Sequence, residues 1–412
     1  MNIMHANAVV GQSGGPTSAI NATLSGVIKG VLEAKEAGYI DTLYGMRNGI
    51  EGFLNENLID LTARFEGGRD LDILEQTPAA ALGSCRKKMK SPDVEPETYE
   101  KLLEIFKKYN IRYFFYIGGN DSMDTVAKLS QFAANHDYEM KVVGVPKTVD
   151  NDLAATDHTP GFGSAAKFVS TTMKEILRDV SVYTMKAVTI VEVMGRDAGW
   201  LTASAALPVV SGGLAPDLVY LPEVVFDPDE FIASIKAAQE KHPAVLVAVS
   251  EGVKLADGSY VGEGVGEKTY DAFGHVQLSG AGKVLEKFVK EKLGCKVRSI
   301  ELNLPQRCAA HIASLTDITE SVSVGRHAVE LAVAGESGVM ATIVRASDAP
   351  YTATFGSQDI SKIANAVRGV PRDFINEAGN NVNEKCIAYL RPLIIGELPI
   401  VYEEGMPKHV VL

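Results

Sequence analysis

Cysteine is scarce in this sequence. Only four cysteines occur in 412 residues, at positions 85, 295, 308 and 386. They are too few for a disulfide scaffold and too far apart for a C-x-x-C metal or redox motif. The eight histidines are also isolated, without a pair at i, i+4 spacing, so a histidine metal centre is not expected.

Long apolar runs and concentrated positive charge are missing as well. No stretch reaches the roughly 18 apolar residues of a membrane span, and the first residues do not form a signal peptide. The 40 basic side chains are outnumbered by 52 acidic ones, with no long block of like charges. We therefore expect a cytoplasmic protein whose partners are neither a membrane nor nucleic acid.

What the sequence does contain is an alternation of short apolar runs and amphipathic stretches. It begins with NAVVGQSGGPTSAINATLSGVIKG, an apolar run followed by a glycine turn and a helical pattern, and it continues through at least residue 181. It returns in KAVTIVEVMGR, AVLVAVSEG and VRSIELNL. Strands separated by helices predict an α/β fold with mostly parallel sheets covered on both faces, and the length favours two lobes.

Two stretches depart from this alternation. Residues 252–282 carry eight glycines with little periodicity, which predicts a long loop, either a solvated excursion or a lid near the site. From about residue 346 the pattern is weaker, and we predict a helix near residue 360 and a strand near residues 386–395.

Three glycine-bearing loops precede predicted helices: QSGGPTSAIN, GGNDS and GFGSAAK. Helix N-termini expose backbone N–H groups and attract anions. In α/β sheets, loops at the carboxyl ends of strands form the ligand site. Together the three loops predict phosphate binding, although each alone could be an ordinary turn.

Two further stretches carry charged side chains directly after strands. In PKTVDNDL, Asp150 can accept a proton from a bound hydroxyl, Asp152 can hold magnesium or its waters, and Lys147 offers a compact positive charge to a phosphoryl oxygen. In VEVMGRDAGW, a strand delivers Met194, Gly195 and Arg196 to the sheet edge. The guanidinium of Arg196 suits a phosphate or a hydroxyl.

Taken in order, the motifs SGGPTSAIN, LGSCRKK, GGNDS, PKTVDND, VEVMGRDAGW, SEG and LPQR resemble the phosphofructokinase family over residues 8 to 345. GGNDS and PKTVDND are similar to the pyrophosphate-dependent branch. The ATP enzymes carry GGDGS, so Asp121 adds volume and negative charge where they have glycine. They also have no lysine at the position of Lys147.

The resemblance implies the phosphofructokinase fold, with two Rossmann-like three-layer lobes. Residues 1–161 with about 306–345 would form the larger, donor-binding lobe, and residues 162–305 the smaller, sugar-phosphate-binding lobe. Residues 346–412 would be a C-terminal extension. It also implies a homo-oligomer, first a dimer and second a tetramer.

The reaction implied is a Mg²⁺-dependent phosphoryl transfer from pyrophosphate to the 1-hydroxyl of fructose 6-phosphate. The resemblance assigns the catalytic roles to Asp150, the proton acceptor, with Lys147 and Arg86. The remaining roles fall into three sets. Donor binding is assigned to Gly14, Gly15, Gly119, Asn120, Asp121 and Lys147. Sugar binding is assigned to Thr148, Asp150, Met194, Gly195, Arg196, Glu251, Arg298 and Arg307. Magnesium is assigned to Asp121 and Asp152, with Asn120 an uncertain ligand.

Three positions depart from the family pattern. Asn120 replaces the usual carboxylate, Leu304 replaces a histidine, and Ala187 replaces an arginine that the ATP enzymes supply from a partner subunit. Other readings stay open beside the main one. They are an ATP-dependent kinase, sedoheptulose 7-phosphate as the sugar, and a non-catalytic regulatory subunit.

Overall fold

The structure, a computed structural model, describes residues 5–212, 214–264, 280–363 and 366–412. Its strands are β1 (Ala6–Gln12), β2 (Ile40–Met46), β3 (Leu58–Asp60), β4 (Ile111–Gly118), β5 (Lys141–Pro146), β6 (Ala187–Val193), β7 (Leu218–Tyr220), β8 (Ala244–Ser250), β9 (Lys296–Glu301), β10 (Val339–Asp348), β11 (Tyr351–Asp359), β12 (Tyr402–Glu403) and β13 (Met406–Pro407).

The α-helices are α1 (Ile20–Glu36), α2 (Gly49–Leu54), α3 (Leu61–Arg64), α4 (Leu71–Gln76), α5 (Pro96–Lys108), α6 (Asn120–Asn135), α7 (Phe162–Val180), α8 (Trp200–Ser204), α9 (Pro228–Gln239), α10 (Ala281–Leu293), α11 (Pro305–Cys308), α12 (Leu315–Val333) and α13 (Glu384–Leu390). Short 3₁₀ helices span Glu66–Gly68, Leu207–Ser211, Val261–Gly264, Ala310–Ile312, Ile360–Lys362, Arg372–Phe374 and Arg391–Ile394.

A seven-stranded sheet in the order β11-β10-β5-β4-β1-β2-β3 forms the centre of the larger lobe. Its inner pairs are parallel, whereas the edge strands β3 and β11 pair antiparallel to their neighbours. Alternate residues of β1 enter different cores because side chains alternate across a strand. Val10 packs with α1 and α12 on one face, and Val9 packs with α5 and α6 on the other.

The smaller lobe has a fully parallel four-stranded sheet in the order β7-β8-β6-β9. Val191 of β6 packs against α7 and α8, while its neighbour Ile190 packs against α9 and α10. Both sheets are therefore covered by helices on both faces. This confirms the predicted α/β class with mostly parallel sheets.

The chain after residue 345 differs from the expectation in two places. Strand β11, which we placed in a C-terminal extension, is an edge strand of the large sheet. The strand expected near residues 386–395 is wrong, because α13 and the 3₁₀ helix Arg391–Ile394 occupy that stretch. The side chains of Cys386, Leu390 and Leu393 are buried. Their i, i+4, i+7 spacing is typical of a helix, but it is hard to recognise in a stretch where most residues are apolar.

The remaining expectations concern the helix near residue 360, the lobe boundaries, the glycine-rich stretch and membrane spans. The helix expected near residue 360 is a short 3₁₀ helix, and the lobe boundaries stay a prediction. Of the glycine-rich stretch 252–282, residues 265–279 lie outside the described residues. Within the described part of the chain, every helix is too short or too polar to cross a lipid bilayer.

Candidate active site

Five loops that carry predicted site residues begin at the carboxyl ends of strands in both sheets. Strands β1, β4 and β5 of the large sheet and β6 and β8 of the small sheet each end one residue before such a loop. In parallel sheets these ends lie at one edge, which is where ligands bind in α/β folds. The loops start with Ser13, Gly119, Lys147, Met194 and Glu251.

The first cavity of the site has a volume of about 400 Å³. Ten predicted site residues line it: Gly14, Gly15, Arg86, Gly119, Asn120, Asp121, Lys147, Thr148, Asp152 and Arg196. Gly14 has a φ of +77°, which favours glycine, and a Cβ there would stand 3.3 Å from the Lys147 Nζ. The Gly14 N–H donates to the Cys85 carbonyl at 3.1 Å and the Gly14 carbonyl accepts from the Ser84 hydroxyl at 2.6 Å, so the Gly14 backbone is bonded within the protein and does not offer the free N–H group that was expected.

Helix α6 points its N-terminus into this cavity, with Asn120 and Asp121 in its first turn. Gly118 permits the tight turn before it, because a Cβ there would lie 1.9 Å from the Ser122 Oγ. The N-cap residue Gly119 has no side chain to cap the helix. The first N–H groups of α6 can thus bind an anion, as GGNDS predicted.

The Asp121 carboxylate forms an ion pair with Lys88, at 3.3 Å between Oδ1 and Nζ. Both side chains line the first cavity, and Lys88 comes from the loop that also carries Arg86. The negative charge expected at this position is therefore balanced by a lysine. The volume of the Asp121 side chain stays as an obstacle to a nucleoside.

A second cavity of about 190 Å³ adjoins the first. The two share Gly15, Arg86, Lys147 and Thr148 as lining residues. The second cavity adds four predicted sugar-site residues, namely Asp150, Met194, Glu251 and Arg307. A donor in the first cavity and a hydroxyl in the second would meet beside Arg86 and Lys147.

Burial shifts the pKa values of the charged groups at this junction. Lys147 is 3% exposed and donates to the Gly15 carbonyl at 2.6 Å, and its desolvation lowers the pKa to about 8. Burial, reinforced by the nearby Asp152 and Glu251 carboxylates, raises the pKa of Asp150 to about 7. Burial also raises the pKa of Glu251 to about 7. The site thus holds groups that change charge near neutral pH.

Glu251 also shapes the loop that carries the sugar-site motif. One of its carboxylate oxygens accepts from the Gly195 N–H at 3.0 Å. The Met194 N–H, next to it, donates to the Gln306 side chain at 3.2 Å. Arg196 pairs with Asp197 at 2.8 Å and lines the first cavity rather than the second.

The residues expected to hold magnesium, Asn120, Asp121 and Asp152, all line the first cavity. Asn120 donates to Asp152 at 3.4 Å, and burial raises the pKa of Asp152. The Asn120 Oδ1 is buried and has no hydrogen-bond partner within the described part of the chain. Within the residues that the structure describes, no group of three or more histidine, cysteine, aspartate or glutamate side chains is placed to hold a metal ion. This oxygen-rich corner fits Mg²⁺, which typically takes one or two protein ligands together with substrate phosphates.

Two predicted site residues line neither cavity. Gly195 follows β6 and donates its N–H to Glu251, and Arg298 lies farther away. Arg298 sits within β9, opposite Thr189 of β6, and not at the carboxyl end of its strand. It lines a small depression together with Tyr183, Met185 and Ala187. The structure therefore does not bring Arg298 into the cavities of its own chain.

The third glycine loop, GFGSAAK, does not offer free N–H groups to a phosphate, so that expectation is wrong. The buried Asp317 carboxylate accepts from the Gly161 and Ser164 N–H groups, both at 2.9 Å, and from the Ser164 hydroxyl at 2.5 Å. Asp317 belongs to α12, far away in sequence. The N-terminus of α7 is thus capped by the protein itself.

Sequence reasoning did not single out Lys88 or Gln306, although each stands beside a residue that it chose. Lys88 lies in LGSCRKK, two residues after Arg86, and Gln306 lies in LPQR, directly before Arg307. Proximity to these two arginines was the available signal. It also missed Arg368 and Tyr389, which contact the loop carrying Asp150. These two follow no strand, and no sequence pattern marks them.

Comparison with known proteins extends these findings. The phosphofructokinase family profile matches residues 7–332. The chain is 41% identical over 404 residues to pyrophosphate--fructose 6-phosphate 1-phosphotransferase of Halomonas elongata, covering 98% of this chain and 95% of the relative. It is also 41% identical over 415 residues to the protein of that name from Methylococcus capsulatus, with coverages of 98% and 96%.

A solved structure has the same fold over nearly the whole chain. The crystal structure of pyrophosphate-dependent phosphofructokinase from Nitrosospira multiformis matches with a TM-score of 0.88 and 40% sequence identity, covering 98% of this chain and 96% of that one. The family match spans well over half of the sequence, and the site loops lie where the motifs placed them. The chain therefore belongs to the phosphofructokinase family.

Proposed function

We propose that this protein is an enzyme that transfers a phosphoryl group reversibly between pyrophosphate and the 1-hydroxyl of fructose 6-phosphate. The products are fructose 1,6-bisphosphate and phosphate. The observation that carries the proposal is the pair of adjoining cavities that share Arg86 and Lys147, the first of which is narrowed by Asp121. The names of the relatives at 41% identity support it.

Pyrophosphate would lie in the first cavity beside Gly14, against the backbone N–H groups of Gly15 and of the start of α6. Gly119 and Asn120 flank the same turn. Lys147 would contribute a positive charge at the junction of the cavities, where the transferred phosphoryl group passes. Arg86 would contact that group from the opposite loop.

Fructose 6-phosphate would lie in the second cavity with its 1-hydroxyl beside Asp150. The oxygen of the 1-hydroxyl forms a bond to the transferred phosphorus while the bond from that phosphorus to the bridging oxygen of pyrophosphate breaks. Phosphate leaves, and the hydroxyl proton passes to Asp150. Because the nucleophile keeps its proton until late in a loose transition state, the placement of Asp150 matters more than its basicity.

Other sugar contacts would come from both lobes. Glu251, Met194 and Thr148 line the second cavity, and Gly195 lies next to Met194 in the chain. Arg307 would hold the 6-phosphate, and Arg196 would approach the sugar from the first cavity. Burial and the neighbouring Arg86 lower the pKa of Arg307. An anionic phosphate is the ligand that would balance these clustered cations.

Mg²⁺ would be held by Asp152, the amide oxygen of Asn120 and phosphate oxygens, with Asp121 close by. When bound, it would neutralise part of the charge on the pyrophosphate. The protein groups would then only have to orient the two substrates and receive the proton.

The working unit would be a homodimer in which a second copy supplies Arg298 to the sugar phosphate. Ala187, where the ATP enzymes have a partner-subunit arginine, lies in the same depression as Arg298. Tyr183 and Met185 beside it are 50% and 55% exposed, an apolar surface that suits a partner. The site would then be complete only in the oligomer.

A donor screen tests the function directly. Purified protein with Mg²⁺ and fructose 6-phosphate should form the bisphosphate rapidly with pyrophosphate and hardly with ATP, since Asp121 crowds the nucleoside position. The variant Asp150→Asn should lose about 100- to 10,000-fold of this activity, the usual contribution of a general base. Bisphosphate formation is measured by a coupled assay.

The same assay separates the other readings. Equal rates with ATP would contradict the donor assignment, and an inactive isolated chain would favour a regulatory subunit. Competition between fructose 6-phosphate and sedoheptulose 7-phosphate would identify the preferred sugar. Activity that survives Asp150→Asn would remove Asp150 from its role.

A further inference from the structure

The loop that carries Lys147, Asp150 and Asp152 is held largely by residues from the far end of the chain. The Arg368 N–H donates to the Asp152 carbonyl at 2.8 Å, and Leu153 forms an antiparallel bridge with Val367. These are backbone contacts, so they fix the path of the loop and not merely one side chain. The segment following residue 365 thus lies directly against the catalytic loop.

The Tyr389 hydroxyl makes three hydrogen bonds in the same place. It accepts from the Asn151 side chain at 3.3 Å and from the Arg368 guanidinium at 3.0 Å, and it donates to the Asp157 carbonyl at 2.6 Å. Arg368 also donates to the Thr156 carbonyl at 3.0 Å. Residues on both sides of Leu153 are therefore tied to one hydroxyl and one guanidinium.

Asn151, which stands between the two aspartates, has a backbone conformation that needs such support. Its φ is +55°, in the left-handed region that non-glycine residues seldom adopt. It is fully buried, and its Oδ1 has no hydrogen-bond partner within the described residues. The Tyr389 hydroxyl is the partner of its amide nitrogen.

The two holding residues are themselves fixed by the small lobe and by buried charges. The Trp200 indole donates to the Arg368 carbonyl at 3.0 Å, and the Arg368 guanidinium lies 4.8 Å above the Trp200 ring. Arg345 stacks on the Tyr389 ring at 4.4 Å and also pairs with Asp157 at 3.1 Å. Trp200 closes the motif VEVMGRDAGW, so the support links the catalytic loop to the sugar-site motif.

Neither residue lines the cavities proposed for the substrates. Arg368 and Tyr389 are absent from the lining of both site cavities, where Val367 alone represents this segment. We propose that Arg368 and Tyr389 are positioning residues that hold the loop 148–153 so that Asp150 faces the sugar hydroxyl. This inference rests on the proposed function for its effect on turnover.

Removing the Tyr389 hydroxyl should therefore reduce turnover more than substrate binding. We expect Tyr389→Phe to lower kcat about 10- to 100-fold, because a displacement of about 1 Å can cost up to 100-fold in rate. KM for either substrate should change little, since the cavity linings stay intact. Arg368→Met, which keeps the stem on Trp200, should act in the same direction.

The control is Tyr138→Phe. The Tyr138 hydroxyl donates to the Ile111 carbonyl at 2.8 Å, and Arg112 stacks on its ring at 3.9 Å, so the two tyrosines are matched in chemistry. Tyr138 lies away from the site, so its variant should lose stability without losing kcat.

Hydrogen exchange distinguishes positioning from a general loss of stability. The amides in 148–153 should exchange faster in Tyr389→Phe than in Tyr138→Phe.

The outcomes separate this inference from the proposed function. A wild-type protein inactive with pyrophosphate and fructose 6-phosphate would overturn the proposed function, and the exchange rates would then decide the positioning role. An active wild type with unchanged kcat in Tyr389→Phe would overturn the positioning role. Loop exchange as slow in Tyr389→Phe as in wild type would do the same.

Discussion

At the scale of single residues, the pair formed by Asp121 and Lys88 explains how a carboxylate could stand where the proposed anionic donor would bind. The two side chains are 34% and 53% exposed, so their ion pair is partly hydrated. Its contribution to stability is therefore small. Its effect on the donor is different, because the lysine cancels a negative charge that would otherwise face pyrophosphate.

Replacing Lys88 should weaken donor binding. Lys88→Met leaves the Asp121 carboxylate unpaired at the cavity, and we expect KM for pyrophosphate to rise about fivefold, since one partly exposed charge interaction is worth up to about 1 kcal/mol. KM for fructose 6-phosphate should stay the same. Steady-state kinetics with each substrate varied in turn measure both values.

Lys90→Met is the matched control for this change. Lys90 belongs to the same loop and pairs with Glu95 at 3.2 Å, but it does not line the cavity. Equal effects of the two substitutions on the donor KM would contradict the role of Lys88. Adding Asp121→Asn to Lys88→Met should recover part of the loss.

At the scale of secondary structure, α6 and α7 show that similar glycine turns lead to different uses of a helix N-terminus. The turn before α6 opens into the first cavity, while the turn before α7 is closed by Asp317. Gly161 has a φ of +101°, so its glycine is required by the backbone of the turn. A glycine-rich loop before a helix therefore indicates a tight turn. It indicates an anion site only where no carboxylate of the protein already accepts hydrogen bonds from the N–H groups at the start of the helix.

The cap on α7 should contribute substantially to stability. Asp317→Ala should lower the free energy of unfolding by roughly 3 kcal/mol or more, because three buried donors lose their acceptor and each unsatisfied donor costs about 1–3 kcal/mol. Urea denaturation followed by circular dichroism measures the change. The first cavity should still form in the protein that remains folded.

A second helix provides the comparison. Asp227 caps α9 by accepting from the Asp229 and Glu230 N–H groups at 2.8 and 3.0 Å, but it is exposed. Water can replace it, so Asp227→Ala should cost only about 0.5–2 kcal/mol. A loss from Asp317→Ala no larger than this would show that burial adds nothing to the cap.

At the scale of the whole molecule, the position of Arg298 underlies the proposal that a second copy completes the sugar site. Arg298 faces an apolar depression outside both cavities of its own chain. The proposed dimer would bring it to the 6-phosphate of the second copy. This arrangement makes a prediction about mixtures of inactive variants.

The variant Asp150→Asn should be nearly inactive at any sugar concentration. The variant Arg298→Ala should be nearly inactive when the concentration of fructose 6-phosphate is low. Subunits of both kinds, mixed under conditions that allow exchange, should regain activity. In a mixed dimer, one of the two sites then has an intact Asp150 together with an intact Arg298 from the partner. The measurement is turnover at limiting fructose 6-phosphate before and after mixing.

The control mixes Asp150→Asn with Lys147→Met, which belong to the same site and cannot complement each other through a partner residue. Each mixed dimer then has two damaged sites. Recovery in both mixtures, or in neither, would contradict a shared sugar site.

Much of this molecule was predictable from the sequence because the relevant patterns are local. Apolar runs such as IRYFFYIGG indicated the strands of the parallel sheets. Residues that follow strands of the same parallel sheet had to meet at its edge, which is why Gly14, Asn120 and Lys147 could be grouped in advance. Glu251 follows a strand of the other sheet, and only the family resemblance assigned it to the site. By contrast, 386–395 was assigned wrongly, because a short buried helix and a short buried strand have similar composition.

The sequence by itself determined the α/β class, the order of the site loops and the chemical character of each loop, since these depend on neighbours along the chain. Only the tertiary structure decided which groups meet across long separations. It pairs Lys88 with Asp121, closes α7 with Asp317, turns Arg298 away from its own cavities and brings Tyr389 to Asn151. Such contacts depend on how the lobes and the C-terminal segment pack, and no local pattern records that packing.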